Sequence, residues 1–288
     1  MADSSAAPQA SRRGDALGPQ AIAPRPGQRA HVEPHWSDGY YEELYLASVG
    51  DLLTPRLSGF EAEVIAGLLR LGPGDRVLDL ACGHGRHAWP LAGRAGRVVG
   101  LERSAAAVRR AAQAGPATGA GGKGVVAPAF LRADLRALPL RRGAFDAVYS
   151  WYASLFMYDD PTNEAVLREA GRLLRPGGRL LVHHANPLAL AVQPHDEARR
   201  GLPDGAEVEE VSDFDAARGV DRCARRLRLP DGRTLEGMAE LRYYTPAEWE
   251  LLARRAGLRL TAVTSTSPSA GGAVGPAARD LIALLETP

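Results

Sequence analysis

From Trp36 onward, short apolar runs alternate with segments of helical period, and that order predicts a doubly wound α/β fold. Tyr41, Leu44, Tyr45 and Ser48 fall at i, i+3, i+4 and i+7 and predict a helix within residues 38–49. A second helix is predicted over 58–71, with Phe60, Val64, Leu68 and Leu71 inward and Gly72-Pro73-Gly74 ending it. Strands follow at 76–80, 97–101, near 126–131, 145–151 and 179–184. Helices fill the gaps: one over 85–93, and one that Ser104 caps and that runs to about Gln113. A third opens on Asp160-Pro161 as N-cap and first-turn proline, buries Val166, Leu167, Ala170, Leu173 and Leu174, and stops at Pro176-Gly177-Gly178. Residues 115–124 read as a flexible insertion. Strands joined through single helices imply parallel pairing and right-handed crossovers.

The period changes over 206–244. Val208, Val211, Cys223, Leu227, Leu229, Leu235, Met238 and Leu241 alternate with polar residues around a Pro230-Asp-Gly232 turn, which predicts an antiparallel excursion. Thr245-Pro-Ala-Glu248 is a capping box for a helix ending at Gly257. Residues 258–263 return to strand, and 278–285 fit either a last strand or a short helix. Residues 1–35, rich in Ala, Ser, Pro, Gln and Arg, cannot bury enough apolar surface to offset their ordering entropy and are expected to be a disordered tail.

Composition narrows the classes. The 288 residues are 45% hydrophobic and 24% charged with net charge +1, ordinary values for a globular protein. No window approaches the roughly 18–20 consecutive apolar residues of a membrane span, and the start lacks a secretory signal pattern. A cytoplasmic protein without membrane contact is expected. Near-zero net charge and the lack of a basic stripe interleaved with aromatics speak against a nucleic-acid partner. Cys82 and Cys223 cannot form a disulfide framework, and neither sits in metal-ligand spacing, so no metal is expected. Lys123 is the sole lysine; the arginine excess reads as coding bias, and Arg132, Arg136, Arg141 and Arg142 as solvated surface.

The chemistry concentrates in Val77-Leu-Asp-Leu-Ala-Cys-Gly-His-Gly-Arg-His87 and in Glu102, at the tip of the next strand. A strand entering glycines and then a helix offers backbone N–H groups and a positive helix end. Gly83 and Gly85 allow a ligand close to the backbone, and a carboxylate at Glu102 can accept both hydroxyls of a ribose. Three readings fit: a plain tight turn, a dinucleotide site on Gly83-x-Gly85-x-x-Ala88, or S-adenosylmethionine. The flanking residues favour the third. Asp79 would oppose a pyrophosphate but suits a cationic ligand. Asp134, in Arg132-Ala-Asp-Leu135, is placed to take an adenine amino group. Phe145-Asp-Ala-Val-Tyr-Ser-Trp-Tyr152 brings polar and aromatic residues to the mouth of the fourth strand.

With these residues the chain resembles a class I S-adenosylmethionine-dependent methyltransferase. The matching segments are 77–87, Val98-Val-Gly-Leu-Glu-Arg-Ser104, Ala133-Asp134 with Leu138-Pro139, Phe145-Asp-Ala-Val148 and Leu174-Arg-Pro-Gly-Gly-Arg-Leu180. The Cys-Gly-x-Gly-Arg-His form, Tyr40-Tyr41 with Leu44-Tyr45, and Tyr244–Glu248 further resemble a bacterial small-molecule subgroup. Two departures stand out: Ala81 replaces the loop's first glycine and His87 its third-position residue.

The resemblance implies a Rossmann-like seven-stranded sheet with an antiparallel last strand. It implies a helical cap at 36–71, a cofactor core at 72–184, a substrate-side insertion at 185–244 and completion of the core at 245–288. It also implies S-adenosylmethionine as cofactor and methyl transfer to an O or N atom of a small molecule. Gly83 and Gly85 would border the methionine part, Glu102 the ribose and Asp134 the adenine, with Ala81, Cys82, Arg103, Ala133 and Leu135 beside them. Ser150 and Trp151 would line the wall near the sulfonium. Arg86 would pair with the cofactor carboxylate or with a local acid. Tyr41 and Tyr45 would act as a lid or as core packing. His183 and His184 end the fifth strand and are the candidate bases, though successive strand residues face opposite ways and only one can point inward. A dinucleotide oxidoreductase and a non-catalytic cofactor-binding protein are the alternatives.

Overall fold

The computed structural model describes residues 35–115, 125–152, 155–266 and 274–288. The expected tail before His35 and almost all of the 115–124 insertion lie outside them. Seven strands form the main sheet: β1 (Arg76–Leu80), β2 (Arg97–Glu102), β3 (Ala129–Arg132), β4 (Phe145–Ser150), β5 (Leu174–Ala185), β10 (Arg259–Thr264) and β11 (Asp280–Glu286). Their order is β10-β11-β5-β4-β1-β2-β3, with β11 alone antiparallel to its neighbours. The chain winds outward from β1 through β2 and β3, then returns to β4 on the other side. This puts a topological switch point between β1 and β4, where an open α/β sheet leaves a crevice beyond its carboxyl ends.

Both faces of the sheet are buried, so side chains alternate between two cores. Leu78, Leu80, Val148, Leu180 and Val182 join the helices Asp160–Leu173 and Pro246–Arg255 on one side. Val77, Ala147, Tyr149 and Leu181 join the helices Pro55–Leu68 and Ala88–Ala92 on the other. Four more strands, β6 (His195–Gly201), β7 (Glu207–Asp215), β8 (Val220–Arg228) and β9 (Thr234–Arg242), form an antiparallel meander. Its Val208, Cys223, Leu227 and Ala239 pack on Tyr40 and Leu44. Those two belong to a helical run of Ser37–Gly39, a π-turn at Tyr40–Leu44 and Tyr45–Val49.

Several predicted details move. The helix Pro55–Leu68 buries Ser58, Glu61, Ala62, Ile65 and Ala66, while Phe60 is 54% exposed. The predicted stripe is therefore displaced, because two polar residues occupy the true inner face. Asp159 caps the helix Asp160–Leu173, accepting from Thr162 N at 3.0 Å, one residue earlier than expected. β5 begins at Leu174, straight from that helix. β6 carries no apolar alternation and was not anticipated. The last segment is strand from Asp280 to Glu286, not a helix, and the Thr245–Glu248 capping box forms.

Candidate functional site

The turn after β1 runs through three left-handed residues, Ala81 (φ 58), Gly83 (φ 55) and Gly85 (φ 72). Ala81 bears the steric cost that a glycine there would avoid, roughly 1 kcal/mol. At Gly85 a Cβ would lie 2.7 Å from the Phe130 ring, so the helix Ala88–Ala92 can approach the sheet only without one. The turn's amides are already engaged: Gly83 N–H donates to Glu102 Oε2 at 3.0 Å and Gly85 N–H to Cys82 O at 2.9 Å. No ready cradle of free glycine amides remains here for a pyrophosphate.

Glu102 also accepts from Arg103 N at 2.7 Å and Ser104 N at 2.8 Å through Oε1. Three backbone donors thus fix its carboxylate at the cavity wall before any ligand arrives. Asp79 is buried at the end of β1, and Tyr149 OH donates to its Oδ2 at 2.6 Å. Burial pushes its carboxyl up to about 7, outweighing the help of Tyr149 and of the Arg86 charge.

A third acid holds lining residues from behind. Glu61, buried on the helix Pro55–Leu68, receives Arg86 Nη1, His87 Nε2 at 3.0 Å and Trp151 Nε1 at 3.1 Å. Burial alone would raise its carboxyl, but the hydrogen bonds from His87 and Arg86 win and hold it to about 2. Burial pushes His87 down to about 4, so the neutral ring donates to Glu61. Arg86 Nη1 also donates to Ser58 Oγ at 3.3 Å, while its Nη2 is buried with no partner. The arginine therefore pairs with a local acid while lining the cavity, and its Nη2 stays buried without a partner.

These groups surround one cavity of about 360 Å³ at the switch point, a volume typical of small-molecule sites. Tyr41, Tyr45, Asp79, Ala81, Cys82, Gly83, Arg86, Glu102, Arg103, Ala133, Leu135 and Trp151 all line it. The remaining candidates do not. Gly85 lies behind, against Phe130. Ser150 is sealed in the core with an unpartnered Oγ. Asp134 is held by Arg136, through Nε at 3.0 Å, and by Arg103 at 3.1 Å. These contacts overcome burial and keep its carboxyl low.

The two histidines part as strand alternation requires. His184 is fully buried, accepts from Trp249 Nε1 at 2.8 Å and donates from Nδ1 to Ala185 O at 2.7 Å. Burial pushes it down to about 4. His183 faces the other way and stacks on Trp151, with ring centroids 4.1 Å apart. Its Nδ1 accepts from Tyr152 N at 3.1 Å, and its Nε2 meets Asp280 at the same distance. Neither lines the cavity. Of the arginines expected at the surface, Arg132 is exposed but also lines the cavity, while half-buried Arg136 holds Asp134 and lies over the Tyr158 ring.

Sequence reasoning missed Glu61, Ser58 and the lining residues Leu46, Leu53, Met157 and Tyr158, while Tyr152, expected at the mouth of the fourth strand, lines the cavity. The Ser58–Glu61 spacing of three, in phase with Ala62 and Ile65, was the available signal. Among the described residues no group of His, Cys, Asp and Glu could hold a metal ion, and no helix is long and apolar enough to cross a membrane.

This geometry is a cavity of small-molecule size beyond the carboxyl ends of a doubly wound sheet, and comparison with known proteins gives its class. Residues 77–178 match the family described as "Methyltransferase domain". The chain is 31% identical over 232 residues to 27-O-demethylrifamycin SV methyltransferase of Amycolatopsis mediterranei (strain S699), covering 80% of this chain and 75% of that protein. Its fold resembles the CcbJ methyltransferase from Streptomyces caelestis, with TM-score 0.69 at 23% identity over 86% of this chain and 98% of that one. It also resembles S-adenosylmethionine-bound CalS10, an amino pentose methyltransferase from Micromonospora echinaspora involved in calicheamicin biosynthesis. There the TM-score is 0.59 at 19% identity, over 90% of this chain and all (100%) of that one. The chain belongs to the class I S-adenosylmethionine-dependent methyltransferases. It is an enzyme, and S-adenosylmethionine is its cofactor.

Proposed function

We propose that this enzyme methylates an oxygen or nitrogen atom of a small natural-product intermediate, in the cytoplasm and without a nucleic-acid partner. The observation that carries the site assignment is the charge layout of the cavity: two buried or backbone-fixed acids, Asp79 and Glu102, and one partnerless guanidinium nitrogen on Arg86. This donor set fits a ligand carrying a carboxylate, a cationic centre and sugar hydroxyls. When bound, the cofactor supplies an electrophilic methyl group on positively charged sulfur.

Arg86 would turn its partnerless, buried Nη2 toward the cofactor carboxylate, while Asp79 would take the cationic end and Glu102 the ribose hydroxyls. Gly83 would border the methionine part, with Gly85 behind it letting the turn sit close against Phe130. Asp134 would reach the adenine edge next to Ala133 and Leu135, using a carboxylate that Arg103 and Arg136 orient. Tyr41 and Tyr45 would close over the ligand, excluding water and aligning the acceptor for in-line attack. If the acceptor must lose a proton, His183 is better placed than His184, because it lies directly behind Trp151. To act it would have to release Tyr152 N or Asp280.

The rifamycin relative acts on a natural-product acceptor by its printed name, and CalS10 on an amino pentose; the same acceptor class is proposed here. Calorimetry with S-adenosylmethionine tests the cofactor placement. Glu102→Ala should weaken binding about tenfold to hundredfold, the worth of hydrogen bonds to a charged group. Unchanged affinity would remove the placement. Tritium from labelled cofactor should appear in the small-molecule fraction of a cell extract, and label in RNA or protein instead would overturn the acceptor class.

A further inference from the structure

Among the described residues, the antiparallel meander ends in an uncovered strand with an unusual sequence. β6, His195-Asp-Glu-Ala-Arg-Arg-Gly201, is the outermost strand of its sheet, and every residue but Arg200 is exposed. An open edge of this kind is a template for another strand. The charges on β6 read as their own complement: two acids, a central alanine, then two arginines.

We propose that β6 pairs with β6 of a second copy of this chain, antiparallel about Ala198, joining two four-stranded sheets into one of eight strands. In that register Asp196 faces Arg200 of the second copy and Glu197 faces Arg199. The two-fold doubles each, making four opposite-charge pairs. A shift of one residue either way keeps only one kind of pair, Glu197 with Arg200 or Asp196 with Arg199, so the charges select the register. The partners sit on matching faces. Asp196, Ala198 and Arg200 share one face, and Glu197 and Arg199 the other.

The arginines are already oriented. Arg199 meets Glu209 at 3.0 Å on the neighbouring strand, and Arg200 grips Asp51 at 2.8 Å and the Ser48 carbonyl. Each would gain a second acid from the other copy. The opposite edge of the sheet fails the same test: β9 paired with itself about Met238 would set Glu236 against Glu240 of the second copy, a like-charge contact. Pairing at β6 forms a closed, isologous dimer rather than an open chain of copies. Because Arg200 also holds Ser48 and Asp51 just beyond Tyr45, the same contact would brace the helical run over the cofactor cavity.

Sedimentation equilibrium of the full chain between about 1 and 100 µM tests the proposal. The expected mass is twice the 30.6 kDa of one chain, with a measurable dissociation constant. Glu197→Arg and Arg199→Glu, both on exposed side chains, should each weaken the dimer about tenfold, since symmetry applies every change twice. The double variant Glu197→Arg/Arg199→Glu should return to within about threefold of the parent. A monomer throughout the range would overturn the proposal. So would a dimer indifferent to both single changes, or a double variant as weak as the singles.

Discussion

Asp79 carries opposed demands in one side chain. It is buried, its hydroxyl partner Tyr149 is neutral, and its carboxyl sits at about 7. In the free enzyme at pH 6 the group is therefore mostly protonated. A cationic ligand binds the carboxylate form, so binding below pH 7 must first expel a proton. Affinity for S-adenosylmethionine should rise about tenfold from pH 6 to pH 8, the change in ionised fraction across a pKa near 7, and then level off. Asp79→Asn should bind more weakly and show a flatter profile. Calorimetry at pH 6, 7 and 8, in buffers of different ionisation heat, would also count the proton released. A flat profile for the unaltered enzyme would mean that Asp79 does not face the charge.

Elements hold the two halves of the site together, and the closest join is the seam between the helical run and β9. A Cβ on Gly237 would come within 2.8 Å of Leu44 and 3.0 Å of Tyr40. Gly237→Ala should push the run outward and loosen Tyr41 and Tyr45, leaving the main sheet, whose cores exclude these residues, intact. The expected outcome is weaker cofactor binding, about threefold to tenfold, with little change in the thermal midpoint. A large fall in the midpoint would show that the run is part of the folding core. The sheet that bears the site was legible because its signals are local: apolar runs, glycine turns, and caps such as Thr245 with Glu248. Glu102 was legible for the same reason, as it ends a strand at a set distance from Gly83. Glu61 was not, since a hydrophobic stripe cannot announce a buried acid whose partners Arg86, His87 and Trp151 lie 25 or more positions along the chain. β6 was hidden because an exposed edge strand needs no apolar alternation. Arg136 is indistinguishable in the sequence from a solvated surface arginine, and only the fold brings its guanidinium onto both Asp134 and the Tyr158 ring.

At the scale of the whole molecule, burial of ionisable groups sets the response to acid. Burial pushes His84, His87 and His184 down to about 4, and nearby arginines assist at His84. In the unfolded chain each titrates near 6.5. Between those values unfolding takes up three protons, so this contribution to stability is present above about 6.5 and is lost as pH falls toward 4. Asp79 works in the opposite direction: its folded pKa is raised to about 7, so over the same window the folded state holds one proton that the unfolded chain lacks. Three against one leaves a net uptake of about two protons on unfolding. The hydrogen-bonded acids Glu61 and Asp280 add their share at lower pH, because their hydrogen bonds depress their pKa values below the ordinary carboxylate range despite burial. The thermal midpoint should therefore fall steadily from pH 6.5 to pH 4.5, measured calorimetrically in the absence of cofactor. His184→Gln should make that fall shallower even if it lowers the midpoint at pH 7, because it removes one proton from the difference. A midpoint that stays level down to pH 5 would show that these histidines are not held neutral by burial, and would reopen the Glu61–His87 pairing on which the Arg86 wall is built.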